Sequence, residues 1–384
     1  MRSNDPLFFD TLFRTKKKRG GYRIVEPPTP PLEALVADTH AHLEMFEDVS
    51  LTLARCAVHG LGFICCVVDM CEDEDNLAVY DQAETWREQA RVLLPKIIAA
   101  SAAEGRAAQA DGDAAEGGAA QADAAESDTT RVVDAVQVAD AVQVVDADTT
   151  TNDKENTDSL TPLPDIPRMR VAIGCHPHNA KDYTKAAEAL FISRLKNPLT
   201  CAIGEVGLDF HYDFSPRDVQ RDVFRRQIAL AHTTGLPLIL HLREAHEEAL
   251  VIMDEEGFPE AGTLLHCFNL DKDVLAPWVE RGCYVAFGGP LTFKKNDYVR
   301  EAALQVPRNR LVTETDAPYM TPEPLRGMGC SPEHTIFTAE CLAAVFGCAA
   351  GEPRQQFLAE IYQNTLDLLD RESTPWQRSE NDGA

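Results

Sequence analysis

The sequence predicts an α/β fold, a TIM-type (β/α)8 barrel, on the strength of three observations. A short apolar run recurs eight times along the 384 residues, and a helix-like stretch follows each run. The runs are continuously apolar rather than alternating, which is typical of parallel strands covered on both faces. The chain is also long enough for the roughly 250 residues that one such barrel uses.

The eight apolar runs are the predicted strands. In chain order they are 34–38, 62–69, 170–175, 201–205, 236–241, 262–266, 283–287 and 310–316. The clearest helix follows the fourth run, because Ser215 and Pro216 supply an N-cap and a first-turn proline, and Gly235 ends the helix. An open, doubly wound sheet is the alternative, but no Gly-x-Gly-x-x-Gly motif follows the first strand.

The composition excludes several classes of protein. Apolar residues make up 44% of the chain, an ordinary fraction for a globular protein. The longest apolar run, 61–68, is far shorter than the ~18 residues that span a bilayer, and the N-terminal order does not resemble a signal peptide. Eleven cysteines without a Cys-x-x-Cys motif predict reduced thiols and a cytoplasmic location.

The net charge of −26 is unevenly distributed. Residues 101–160 hold fourteen Asp/Glu against three Lys/Arg, which contributes −11, and they contain no aromatic residue. The segment is rich in alanine and has little to bury, so we predict a disordered, low-complexity acidic insertion, 102–165, between helix two and strand three. A helical extension of the preceding helix is the alternative.

The predicted insertion interrupts one barrel domain, 34–370. An N-terminal extension, 1–33, precedes the barrel, and a C-terminal tail, 371–384, follows it. The extension contains the basic run 16–19, which would either assist substrate binding as a flexible arm or be an unrelated tail.

Histidines and acidic residues cluster at the C-terminal ends of five predicted strands. In a barrel these ends share one face, and barrel enzymes hold their active sites there. His40 and His42 are two residues apart, so both side chains can point into the barrel mouth. The predicted metal ligands are His40, His42, Glu205, His241, His266 and Asp316.

Imidazole and carboxylate groups together suit zinc, manganese or iron and, with more oxygen ligands, magnesium. Four imidazoles and two carboxylates are too many for one closed tetrahedral site. Two cations that share a carboxylate would use all six, and Glu205 on the fourth strand is the expected bridge. A lone histidine at a strand end is usually structural, but this constellation favours a metal site.

Six motifs carry these residues. They are Asp-Thr-His-Ala-His-Leu at 38–43, Gly-x-His-Pro-His at 174–178, Ile-Gly-Glu-Val-Gly-Leu-Asp at 203–209, His-x-Arg at 241–243, His-Cys-Phe at 266–268 and Glu-Thr-Asp-Ala-Pro-Tyr at 314–319. In this order they resemble the TatD family of metal-dependent deoxyribonucleases, within the amidohydrolase superfamily. The resemblance covers 36 to about 345 outside the insertion.

The resemblance implies a centre of two divalent cations, Mg²⁺, Mn²⁺ or Zn²⁺. The two histidines of the first strand would hold one cation with Asp316, and those of the fifth and sixth strands would hold the other, with Glu205 as the bridge. Asp316 and Glu205 are the expected catalytic residues, because Asp316 beside the first cation can accept a proton from water.

Three more positions match family positions near the substrate: His178, Asp209 and Arg243. Arg243 can present a planar fork to a phosphate, and His178 a further hydrogen-bond donor. The sequence departs from the family pattern at two positions, and both concern substrate preference rather than metal binding. Cys330 stands where the family often has asparagine, and Leu242 where a small polar residue is common.

We therefore predict a hydrolase that cleaves phosphodiester bonds of DNA, at 3′ ends or in short single strands. Its expected partner is DNA or another phosphodiester substrate, and not a membrane. The acidic charge opposes nucleic-acid binding, although the insertion carries part of it and metal cations supply positive charge locally.

Two alternatives stay open. A small-molecule amidohydrolase or esterase could use the same centre, although the fourth strand offers Glu205 and no lysine to be carboxylated. A non-catalytic metal-binding scaffold, with the acidic insertion as an interaction arm, is the other alternative.

Overall fold

The fold is described from a computed structural model, in which residues 13–18, 20–25, 27–28, 32–72, 74–116 and 163–379 are described. The chain divides into two units, Met1–Ser101 with Pro164–Ala384, and Ala102–Leu163. Most of the predicted disordered insertion, 102–165, lies outside the described residues. The backbone of the preceding helix continues to Glu116, so residues 102–116 are helical, as the alternative of a helical extension has it, and not disordered.

The eight predicted strands form one parallel sheet, and a short hairpin precedes it. The hairpin pairs β1 (Arg14–Lys16) with β2 (Tyr22–Ile24). The sheet contains β3 (Val36–Ala41), β4 (Leu61–Asp69), β5 (Arg168–Gly174), β6 (Thr200–Asp209), β7 (Leu238–Arg243), β8 (Thr263–Leu265), β9 (Tyr284–Phe287) and β10 (Leu311–Thr313). Neighbours in sequence are neighbours in the sheet throughout, so the predicted barrel is confirmed.

Helices follow the strands around the outside of the sheet. They are α1 (Val49–Val58), α2 (Val79–Glu116), α3 (Lys185–Leu195), α4 (Arg217–Thr234), α5 (His246–Glu256), α6 (Lys272–Glu280), α7 (Asp297–Ala303), α8 (Thr335–Val345), α9 (Gly351–Leu369) and α10 (Pro375–Arg378). Helix α4 begins after Pro216 and ends at Gly235, whose φ of +69° is favourable for glycine. Within the described residues, no helix has the length and apolarity needed to cross a membrane.

Alternate residues of each strand enter two separate apolar clusters. On β4, Phe63, Cys65 and Val67 belong to the smaller cluster inside the barrel, while Ile64 and Cys66 pack with the larger cluster under the helices. This alternation follows from the two-residue period of a strand. Both faces of the sheet are therefore buried, which explains why the runs are continuously apolar.

The C-terminal segment predicted as a tail packs on the barrel in its described part. It contains α10, and Gln377 donates hydrogen bonds to the carbonyl oxygens of Leu195 (2.9 Å) and Thr200 (3.0 Å). All eleven cysteines lie within the described residues and are free thiols.

Backbone hydrogen bonds join the first and last strands of the sheet at their C-terminal ends. The Asp316 N–H donates to the His40 carbonyl oxygen, and the His42 N–H donates to the Ala317 carbonyl oxygen, both at 2.9 Å. Ala41 and Ala317 form a parallel bridge at the same place. The closure therefore brings two predicted histidine ligands against the predicted aspartate ligand.

Asp38 strengthens this join from inside the protein. Its fully buried carboxyl group, whose pKa burial raises to about 8, accepts the N–H groups of His40 (3.1 Å) and Thr315 (2.9 Å) through Oδ1. The Thr315 hydroxyl donates to the other oxygen, Oδ2, at 2.5 Å. One side chain thus links the end of β3 to the segment after β10.

We expect Asp38→Ala to lower the free energy of unfolding by roughly 2–4 kcal/mol, because two buried N–H groups lose their acceptor. Urea unfolding at pH 7 measures this change. The exposed Asp218→Ala on α4 is the control, and we expect it to change the free energy by less than about 0.5 kcal/mol. Equal midpoints for the two variants would contradict the role given to Asp38.

Candidate metal centre

Glu205 lies at the centre of a group of imidazoles. Its Oε1 is 2.6 Å from His241 Nδ1 and 2.8 Å from His266 Nε2, and its Oε2 is 3.3 Å from His40 Nε2. The glutamate is on β6, His241 is on β7, His40 is on β3, and His266 directly follows β8. Side chains from β3, β7 and the end of β8 therefore converge on one carboxylate of β6.

Asp316 forms a second contact group beside the first. Its Oδ1 is 3.6 Å from His42 Nε2 and 3.9 Å from His40 Nε2. The aspartate is not in a strand, because β10 ends at Thr313, and its φ is +61°. Aspartate adopts this left-handed conformation more readily than most residues, which lets the chain turn and face its side chain toward β3.

The six predicted ligands form one continuous cluster. The donor atoms of His40, Glu205 and His266 lie within 4.8 Å of one another, and so do those of His40, His42 and Asp316. Two overlapping triads have the arrangement that two neighbouring cations would need. The assignment of these residues as metal ligands stays a prediction.

The carboxylates of the cluster are held in their ionised form. Burial opposes the ionisation of Glu205, but the surrounding imidazoles, His266 first and then His40, hold its pKa well below the usual range. Burial and the nearby His266 lower the pKa of His40, so that ring is neutral. Although burial opposes it, the nearby carboxylates raise the pKa of His42, His241 and His266, so a divalent cation would displace protons from these three rings on binding.

His40 provides the strongest structural evidence that the cluster suits a cation. Its side chain is completely buried, and neither ring nitrogen has a hydrogen-bond partner among the described residues. Buried polar atoms are almost always hydrogen-bonded, so a buried imidazole that faces two carboxylates without a bond is exceptional. The chemistry of this donor set fits Mg²⁺, Mn²⁺ or Zn²⁺.

Two further carboxylates lie behind the predicted histidine ligands. Glu44 Oε1 is 3.4 Å from His42 Nδ1, and Glu314 Oε1 is 3.6 Å from His266 Nδ1. A carboxylate at the outer ring nitrogen fixes the orientation of a ligating histidine. The sequence analysis missed both, although Glu44 is two residues from His42 and Glu314 begins the Glu-Thr-Asp motif.

The sequence analysis also missed His176, the first histidine of the His-Pro-His motif. Its Nδ1 accepts the His178 N–H at 3.2 Å, so the proton of the neutral ring is on Nε2, which lies 3.8 Å from Glu205 Oε1. Burial and the neighbouring His241 hold the pKa of His176 well below its usual value. His176 therefore presents a neutral hydrogen-bond donor to the cluster.

The three predicted substrate residues have different surroundings. Asp209 Oδ2 is 2.7 Å from His178 Nε2 and 3.3 Å from His241 Nε2, so two of the three adjoin the cluster. Burial opposes the ionisation of Asp209, but these histidines hold its pKa well below the usual range. Arg243 is exposed at the end of β7, with its guanidinium carbon 4.5 Å from the centre of the Tyr212 ring.

Comparison with known proteins agrees with the resemblance seen in the motifs. A family model described as TatD related DNase matches residues 119–370. The "Uncharacterized metal-dependent hydrolase YabD" of Bacillus subtilis is 41% identical over 172 residues, which cover 45% of this chain and 68% of that protein. The "3'-5' ssDNA/RNA exonuclease TatD" of Salmonella typhimurium is 33% identical over 178 residues, 46% of this chain and 68% of that protein.

Other similar proteins extend this comparison. The "3'-5' RNA nuclease TATDN2" of Homo sapiens is 34% identical over 203 residues, 51% of this chain and 26% of that protein. The solved structure of YJJV, a TatD homologue of Escherichia coli, superposes with a TM-score of 0.59 at 19% identity, over 88% of this chain and 99% of that one. This likeness supports the barrel fold. The family match begins at 119, so β3 with His40 and His42 lies outside it.

We expect Glu205→Gln to weaken metal binding at least tenfold, because the carboxylate shared by three histidines is lost. Calorimetric titration of the purified protein with Mn²⁺ measures this affinity. Glu248→Gln, on the surface between α4 and α5, is the matched control. Unchanged affinity and stoichiometry would contradict the assignment of Glu205.

Glu314→Gln tests the orienting carboxylate behind His266. We expect metal affinity to fall about 10- to 100-fold while all six predicted ligands remain. The same titration measures the loss, and circular dichroism checks the fold. If the variant bound Mn²⁺ like the unmodified protein, Glu314 would have no orienting role.

Proposed function

We propose that this chain, which belongs to the TatD-related DNase family and is a metal-dependent hydrolase of that type, cleaves phosphodiester bonds of DNA. One observation supports the proposal above all others. Four histidines and two carboxylates, carried at the ends of five strands, meet in one cluster, with Glu205 within 3.3 Å of three imidazoles. Such a donor set is suited to hydrolysis at a pair of divalent cations.

Six residues would hold the two cations. The first would lie between Asp316 and the histidines of β3, the second between His241 and His266, with Glu205 shared by both. When bound, such cations lower the pKa of water and neutralise charge that develops on phosphoryl oxygens.

The other polar side chains act on the substrate or on the ligands. Asp316 is the proposed proton acceptor: burial opposes its ionisation, but the His42 contact and the nearby imidazoles lower its pKa and keep the carboxylate ionised and able to accept a proton. The Nε2–H of His176 can donate to a phosphoryl oxygen without adding charge. Asp209 holds His178 and His241, and Arg243 at the rim can bind the next phosphate.

Two observations support nucleic acid as the substrate class. The relative from Salmonella typhimurium is named as a 3'-5' ssDNA/RNA exonuclease, and the relative from Homo sapiens as a 3'-5' RNA nuclease. Basic residues of the hairpin and of the segment after β9 also line one groove of about 1210 Å³, with two glutamates on its wall. The basic residues are Lys16, Lys17, Lys18, Arg23 and Lys294.

This groove gives a strongly acidic chain a local positive surface for a polyanion. The basic residues of α4 do not contribute in the same way. Arg217, Arg221 and Arg225 each form ion pairs with nearby aspartate or glutamate side chains. The N-terminal extension, rather than α4, is therefore the proposed contact for the backbone of the nucleic acid.

We expect the metal-loaded protein to shorten end-labelled single-stranded DNA, and EDTA to stop the reaction. Asp316→Asn should lower kcat at least about 100-fold, because the proposed proton acceptor is lost. Gel analysis of the labelled products measures both effects. Asp297→Asn, exposed on α7, is the control that should keep full activity.

A panel of amides and esters, incubated with the same protein, distinguishes the proposal from the small-molecule alternative. Hydrolysis of panel members together with intact DNA would contradict the proposed function. Cleavage of DNA by Asp316→Asn at the unmodified rate would contradict the role of this residue alone.

A further inference from the structure

Two aromatic side chains are exposed at the rim of the candidate metal centre. Tyr212 and Phe214, in the loop between β6 and α4, are 46% and 57% exposed. Their rings are nearly parallel, with an interplanar angle of 10° and centroids 5.2 Å apart. This offset pair leaves flat apolar surface in contact with water, which is unfavourable unless another planar group covers it.

The neighbours of the pair are planar as well. The guanidinium of Arg243 lies over the Tyr212 ring, 4.5 Å from its centre. The His178 ring meets Phe214 edge-on, at 4.8 Å and 77°. Arg243, Tyr212 and Phe214 thus form a short ladder of planar groups, which we call the aromatic ladder, with His178 at its side.

Hydrogen bonds fix the loop that carries the ladder. Asp209 Oδ1 accepts the N–H groups of His211 (2.9 Å) and Tyr212 (3.0 Å). Asp213 has a φ of +50°, and its carboxylate accepts two hydrogen bonds from Arg217, both at 2.8 Å. Because the backbone of the loop is held before any ligand arrives, less conformational entropy is lost when a ligand stacks on the two rings.

The loop is tied to the metal centre by the same aspartate. The Oδ2 atom of Asp209 contacts His178 at 2.7 Å and His241 at 3.3 Å, while Oδ1 holds the loop. A single buried carboxylate therefore links the loop of the aromatic ladder to His241, a predicted metal ligand. A group stacked on the ladder would lie next to a phosphodiester bound at the centre.

We propose that the aromatic ladder binds an unpaired nucleobase adjoining the scissile phosphodiester. The proposal rests on the proposed nuclease function and names the part of the substrate that this rim recognises. A phosphate alone would need only Arg243, whereas two exposed parallel rings bind planar groups. Duplex bases are already stacked and paired, so the ladder selects single strands and frayed ends.

Binding to strands with and without bases tests this proposal. The protein carries Asp316→Asn to prevent cleavage, and fluorescence anisotropy follows a labelled ten-nucleotide thymidine strand and an abasic strand of equal length. We expect the strand with bases to bind about tenfold more tightly. Phe214→Ala and Tyr212→Ala should bring this ratio close to one and leave the affinity for the abasic strand unchanged.

Two further variants sharpen the experiment. Tyr212→Trp keeps a planar ring and should retain the preference for bases. Tyr298→Ala removes a similarly exposed aromatic side chain on α7, 43% exposed, and should leave the ratio unchanged. In the cleavage-competent protein, Phe214→Ala should raise KM for the thymidine strand about tenfold with kcat changed less than twofold.

The results distinguish a failure of the aromatic-ladder proposal from a failure of the proposed nuclease function. If the protein with the unmodified ladder bound both strands with equal affinity, the proposed role of the ladder in base binding would be overturned, whether or not DNA is cleaved. Loss of affinity for both strands in Phe214→Ala and Tyr212→Ala would also overturn it. A base-dependent affinity without cleavage of any strand would support the ladder and overturn the phosphodiester hydrolase.

Discussion

The join between β3 and β10 determines the geometry of the face that carries the candidate metal centre. The barrel sheet is hydrogen-bonded continuously from β3 to β10, but its first and last strands meet through a few bonds near Asp316 and the buried carboxylate of Asp38. His40 and His42 come from one side of this join and Asp316 from the other. Without the join, the aspartate would have no fixed position relative to either histidine.

A second constraint is electrostatic. The side chains of Glu205 and Asp209 are buried and that of Asp316 is partly buried, and such a concentration of negative charge is unfavourable unless positive charge or donors surround it. Imidazoles supply the positive charge or hydrogen-bond donors around all three carboxylates. The histidines therefore lie between the acidic side chains. The His40 ring, whose nitrogens have no hydrogen-bond partner among the described residues, lies between Glu205 and Asp316.

The sequence was sufficient for the fold and for the convergence of the six predicted ligands at one face of the barrel, because both follow from simple patterns; that these residues bind metal stays a prediction. Continuous apolar runs identify strands covered on two faces, and polar residues at their ends must share one face. The details that depend on long-range packing were not accessible. The left-handed turn at Asp316, the extension of β6 beyond Glu205 to Asp209, and the approach of His176 to Glu205 all depend on neighbours distant in sequence.

The exposed aromatic ladder and the basic groove explain how an acidic chain could act on a polyanion. Long-range attraction is weak for a protein of net charge −26, so recognition has to come from short-range contacts. Stacking on Tyr212 and Phe214 requires no charge, and it involves the bases rather than the phosphates. Positive charge is then needed mainly in two places. One is the hairpin groove. The other is the position of the reacting phosphate, where cations bound by the carboxylate and histidine cluster would supply the charge. Recognition through stacking also explains selectivity for unpaired strands, because only unpaired bases can reach the aromatic ladder.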